Sequence, residues 1–112
     1  MNWLLALAAL SGALAVGAGA FGAHGASGPA IDWLKTGSHY QLIHALAALV
    51  AVQLGARGAG WLFVSGGAIF GISLYLMAIG LPRWLGAITP IGGVLLIAGW
   101  LLLAWVVLRT PH

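Results

Sequence analysis

The sequence predicts an all-α integral membrane protein, a four-helix up-down bundle with a short interfacial helix between helices one and two. Three observations carry that prediction. First, 62% of the 112 residues are hydrophobic and 4% charged, with a mean hydropathy of +1.10, whereas soluble domains carry roughly a quarter charged residues. Second, the five charges, Asp32, Lys35, Arg57, Arg83 and Arg109, leave residues 1–31, 36–56, 58–82 and 84–108 free of Asp, Glu, Lys and Arg. A crossing takes about 20 apolar residues, so each stretch has room for one crossing and not for two. Third, the later breaks are short and glycine-rich, and short connections make consecutive helices antiparallel neighbours. Residues 1–112 therefore read as a single transmembrane domain.

Helix one is expected over about 3–21. Ala18-Gly19-Ala20 resembles a signal-peptide cleavage site, but no Lys or Arg precedes the apolar run, so the segment is read as a retained crossing. Residues 24–38 form the longest break, with Gly25, Gly28, Pro29, Asp32, Lys35 and Gly37. Pro29 suits the first turn of a short helix. Ile31, Trp33 and Leu34 give that turn an oily side for the headgroup layer, with Trp33 as an anchor. Helix two is expected over about 39–55, helix three over 61–79 and helix four over 85–108. The turns between them are marked by Arg57-Gly58-Ala59-Gly60 and by Gly80, Pro82 and Arg83. Gly19-Ala20-Phe21-Gly22 faintly resembles Ala68-Ile69-Phe70-Gly71, a similarity that a composition rich in Gly, Ala and Leu produces by chance.

Helices associate in lipid through close approach, so small residues mark contact faces. Gly67 and Gly71 on helix three, with Ala48 and Gly55 on helix two, are the expected packing positions, and the bundle should be too tight for a wide aqueous pore. Trp3, Trp33, Trp61, Trp84 and Trp105 fall near helix ends, as interfacial belts do. Trp100, well inside helix four, reads as a packed or lipid-facing residue.

Several function classes are excluded. With no Cys there are no disulfides, thiolate metal sites or thiol catalysis. The pI near 10.3 comes from scattered cations, and no Lys/Arg cluster exists to bind nucleic acid. Asp32 is the only side-chain carboxylate, so paired-carboxylate catalysis is impossible, and no nucleophile elbow, P-loop or dinucleotide fingerprint occurs. Neither an enzyme nor a cofactor is expected.

Antiparallel threading gathers the polar residues at one end, beside Asp32 and Arg83. The candidate site is His24, Tyr40, His44, Tyr75, Thr89 and Asp32, with Gln41, Ser73 and Pro90 at the same level. The opposite end holds the amino terminus, Arg57 and Arg109. Tyr40 and His44 share a helix face, and Ala48, Ala51 and Gly55 continue close to it, so His44 should point inward. It lies roughly 9 Å below the start of helix two at 1.5 Å per residue, where an ionisable group needs a partner. An uncharged His44 bonded to Thr89, Tyr75 or His24 is expected, and His39, about 140° round the helix, reads as interfacial. Three roles stay open. His24 and His44 tie helices one and two together, or bind a transition metal or haem iron, or His44 with Tyr40 and Asp32 relays protons or holds a small solute. Pro90 reads as a proline tolerated in a first helical turn.

Ala20-Phe21-Gly22-Ala23-His24-Gly25, Tyr40-Gln41-Leu42-Ile43-His44-Ala45-Leu46, Ser73-Leu74-Tyr75 and Thr89-Pro90-Ile91-Gly92-Gly93 with Gly99-Trp100 occur in this order. Together they resemble the small membrane proteins called domain of unknown function 423, which include relatives of transmembrane protein 256. The resemblance implies four crossings and no established activity, and its His, Tyr, Thr and Pro positions fall on His24, Tyr40, His44, Tyr75, Thr89 and Pro90. Gly71-Ile72 before Ser73 departs from the Ser-Gly pair expected there. The sequence is thus read as a multi-pass protein of the cell membrane with both termini cytoplasmic by the positive-inside rule. Its expected role is a non-catalytic packing or accessory subunit, homo-oligomeric or attached to a larger membrane complex. The alternative is a small transporter or proton relay using His24 and His44.

Overall fold

The computed structural model describes residues 2–111. Helix α1 spans Trp3–His24, α2 Pro29–Gln53, α3 Arg57–Ala78 and α4 Thr89–Arg109, with a 3-10 turn at Arg83–Ala87 before α4. The described residues are all-α, without strands.

Asn2 caps α1, its Oδ1 accepting from the Leu5 N–H at 3.2 Å. The helix runs a turn past Phe21 and ends at Gly25, whose N–H donates to the Phe21 carbonyl. His24 stands in the last turn, where a basic group complements the helix dipole.

The separate interfacial helix expected before helix two is not present, because residues 29–38 are the first turns of one continuous α2. Gly28, at φ +62°, turns the chain. Pro29 then opens the helix and Asp32 lies in its first turn, on the favourable end of the dipole. Gly37, which looked like a break in sequence, is a contact position: a Cβ there would lie 2.7 Å from Tyr75 Cε1. Leu34 is buried, and a Cβ on Gly22 of α1 would meet it at 2.9 Å.

The expected turn at 57–60 is likewise the first turn of α3, where Ala59 and Gly60 are buried. The real turn is Leu54-Gly55-Ala56, with Gly55 at φ +83°. Gly55 is therefore not a packing residue, being exposed with nothing near its Cβ position; it terminates α2 in a backbone conformation that favours glycine. Gly67 and Gly71 do face α2, with Gln41 beside both, and Ala48 is fully buried. Helix four starts later than expected, at Thr89, because residues 83–87 form the 3-10 turn that packs Leu85 on Leu74 and Met77. Pro90 occupies the first turn of α4.

Contacts between consecutive helices run in opposite directions along each pair. Positions 12, 19 and 22 of α1 meet 45, 38 and 34 of α2, and positions 60, 67 and 71 of α3 meet 48, 41 and 37 of α2. Positions 58, 63 and 66 of α3 meet 102, 99 and 92 of α4. Helix α1 also touches α3, whereas α4 packs chiefly on α3 and the 3-10 turn. The main core is built from Ala8, Ala47, Ala48, Ala51, Ala56 and Ala59 around Phe63 and Leu96, the small-residue packing that helices use in lipid.

Three helices, α1, α3 and the segment containing α4, are long and apolar enough to cross a membrane. Helix α2 is more polar, yet Ser38, Gln41 and His44 are buried against its neighbours.

A candidate polar site between the helices

Buried residues on α2 include Gly37, Gln41, His44, Ala48 and Ala51, three or four apart and hence on one helical face. That face puts Gln41 and His44 into the interior, where each must find partners or leave a polar atom unpaired in an apolar medium.

Gln41, 1% exposed, lies between two helices. Its Nε2 donates to Ser11 Oγ of α1 at 2.9 Å, and its Oε1 accepts from the Tyr75 hydroxyl of α3 at 2.6 Å. Gly71 makes room for this arrangement, since a Cβ there would lie 3.1 Å from both Gln41 Oε1 and the Tyr75 oxygen.

His44 is 6% exposed. Its Nδ1 lies 2.6 Å from the Tyr40 carbonyl oxygen, and its Nε2 lies 3.0 Å from Trp100 Nε1. A carbonyl only accepts and an indole N–H only donates. The ring is therefore the neutral Nδ1–H tautomer, with its Nε2 lone pair taken by Trp100. The Tyr40 and His44 rings are parallel within 3°. Phe70 packs on Tyr40 at 4.6 Å between centroids, and Phe63 on Trp100 at 4.8 Å. A third tie joins α3 to α4 through Ser73 Oγ and Thr89 Oγ1, 2.6 Å apart. No buried side-chain nitrogen or oxygen among the described residues lacks a hydrogen-bond partner.

The candidate residues thus sort into three places. Tyr40 and His44 stand together, Tyr75 joins Gln41, and Thr89 joins Ser73. His24 and Asp32 are exposed and take part in none of these ties. The partner expected for His44 was Thr89, Tyr75 or His24; it is Trp100 with the Tyr40 carbonyl, because a donor-only indole reaches across from α4 while an i−4 carbonyl is always within range on the ring's own helix. Trp100 is accordingly a hydrogen-bond donor to the interior as well as a packed ring. Ser11 and Trp100 are the residues that the sequence did not bring to the site, while Gln41 and Ser73 were placed at its level without a role. The signal for Trp100 was its distance from either helix end, and for Gln41 its place three residues before His44. Among the described residues no three His, Asp or Glu side chains form a metal-binding group.

Between α2 and α4 a cleft of about 490 Å³ remains, walled by Tyr40, Ile43, Phe70, Gly93, Ile97 and Trp100, with His44 in its lining.

Fold and site together define a small helical membrane protein cross-linked internally by buried hydrogen bonds. The chain belongs to the DUF423 family, proteins of unknown function, whose family pattern matches residues 18–93. It is 43% identical to a UPF0382 membrane protein of Staphylococcus epidermidis over 97% of this chain and 98% of that one. It is 40% identical to the UPF0382 membrane protein YwdK of Bacillus subtilis, over 92% and 94% of the two chains. No solved structure matches it.

Proposed function

We propose that this protein is a non-catalytic packing or accessory subunit of the bacterial cell membrane, crossing it four times as an up-down bundle and working as a homo-oligomer or within a larger membrane complex. The observation that carries this reading is the commitment of both His44 nitrogens, within an interior where every buried polar side-chain atom of the described residues is already bonded. A proton relay passes through hydrogen-bonded partners that can themselves give and take protons, which a peptide carbonyl and an indole N–H do not, and holding a metal or a solute needs a free lone pair or donor. His44 has neither, and His24 stands exposed at the end of α1. The sparing burial of α4, limited to Gly92, Leu96 and Gly99, leaves an apolar flank for lipid or for a neighbouring subunit.

The fourth crossing is α2. Its 25 residues span about 37 Å at 1.5 Å per residue, more than the roughly 30 Å of hydrocarbon; Ser38, Gln41 and His44 along it are buried against neighbouring helices, and the charged Asp32 and Lys35 stand exposed in its first turns, at the headgroup end. Arg57 and Arg109 then share the side of the termini, cytoplasmic by the positive-inside rule. Since the chain has no cysteine, single Ser27→Cys and Gln53→Cys variants report topology directly. Ser27 should be labelled by an impermeant maleimide from outside and Gln53 only after permeabilisation. Labelling of both from one side contradicts four crossings. In proteoliposomes, proton and solute fluxes should equal those of protein-free vesicles, while native mass measurement should give a species heavier than the 11.4 kDa chain. A flux that His44→Ala abolishes would overturn the reading.

A further inference from the structure

The cleft between α2 and α4 has features that simple helix packing does not require. Its volume of about 490 Å³ lies within the roughly 300–1,000 Å³ of small-ligand sites. Tyr40, Phe70 and Trp100 line it, and Trp100 is held in place by its hydrogen bond to His44. Tyr40, Ile43, Ile97 and Trp100 are all roughly half exposed, so the cleft opens sideways, towards lipid. The Tyr40 hydroxyl makes no hydrogen bond among the described residues, which leaves one free donor on aromatic walls. Gly93 keeps the space open, for a Cβ there would meet nothing closer than Phe70 Cδ2 at 4.0 Å.

We propose that this cleft binds a membrane-dissolved molecule with a flat, carbonyl-bearing ring on an apolar tail, the chemistry of a quinone. Aromatic walls favour a planar ring by offset or edge-on stacking. The tyrosine hydroxyl donates to a ring carbonyl, whereas both nitrogens of His44 are occupied and contribute shape alone. The tail leaves through the lateral opening between Ile43 and Ile97. An acyl chain gains nothing from a hydroxyl donor and is satisfied by any apolar groove. This inference goes beyond the proposed subunit role and holds equally for a monomer.

Quinones quench indole fluorescence, and Trp100 lies in the cleft wall. The test is a titration of the protein in phosphatidylcholine nanodiscs with a decyl-substituted benzoquinone, following tryptophan emission. Wild type should show a saturable component above the linear quenching that partitioned quinone causes. Gly93→Leu fills the cleft while retaining all six tryptophans and should lose that component. Tyr40→Phe should weaken binding about three- to tenfold, the value of one hydrogen bond. Decanol, which has the tail without the ring, should not displace the quinone. Purely linear quenching in wild type, equal saturation in Gly93→Leu, or displacement by decanol would each overturn the proposal, the last by making the occupant a plain hydrocarbon chain.

Discussion

Gly92→Ala is expected to detach α4 from α3. A Cβ at Gly92 would lie 2.5 Å from the Phe70 backbone nitrogen, 2.7 Å from the Gly66 carbonyl oxygen and 2.9 Å from the Phe70 Cα. All three are backbone atoms, so no side chain can rotate away and the helices must separate. Separation also strains the Ser73–Thr89 and His44–Trp100 bonds, which both end on α4. Overpacking costs about 1–3 kcal/mol, and a clash against backbone belongs at the upper end. Gly93→Ala is the control one residue away, where 4.0 Å of clearance remains. Alanine is favoured over glycine inside a helix by about 0.8–1 kcal/mol, and both variants receive that gain. Thermal unfolding in micelles should therefore show Gly92→Ala well below wild type and Gly93→Ala at or above it. Equal midpoints would mean that α4 does not sit on α3 as described.

Gln41→Leu should be the most damaging replacement of a polar residue. Among the described residues it removes the only side chain bonded to both α1 and α3, and leaves the Ser11 and Tyr75 hydroxyls without their partner. Hydrogen bonds between helices in lipid average about 0.6 kcal/mol and reach about 1.7. Two of them at a site 1% exposed give an expected loss of about 1–3 kcal/mol. Tyr75→Phe alone should cost less, and Gln41→Leu with Tyr75→Phe should cost less than the sum, because the second change removes a group already orphaned by the first. Additive losses would show that the Gln41–Tyr75 bond does not form in the membrane. Gln53→Leu, at the exposed end of α2, should be neutral.

The helical class and the four apolar segments were legible in the spacing of the charges. Their ends were not, for one physical reason in both cases. Gly37 and Gly60 read as breaks, since glycine disfavours a helix interior, but each is a point where helices touch, and tertiary contact overrides the local preference. Gly55 was misread in the opposite sense, as a contact when it is the turn. At the site, the inward direction of His44 followed from its spacing with Tyr40 and Ala48, whereas its partner did not. Trp100 lies 56 positions later in the chain, and only the register of α4 against α3, set by Gly66, Gly92 and Gly99, brings it to His44. Grouping by end of the helix placed His24 and Asp32 with the site; in the structure both are exposed near helix termini and join none of its buried hydrogen bonds.

His44 is an internal tie whose two nitrogens are both spoken for. Nitrogen-15 NMR of histidine-labelled protein in bilayers, with wild type beside Trp100→Phe, tests it most directly. The expected wild-type spectrum for His44 has a protonated Nδ1 and a bare Nε2 carrying a hydrogen-bond shift, and Trp100→Phe should remove that shift. An Nε2–H ring, an imidazolium at neutral pH, or an Nε2 signal indifferent to Trp100 would contradict it.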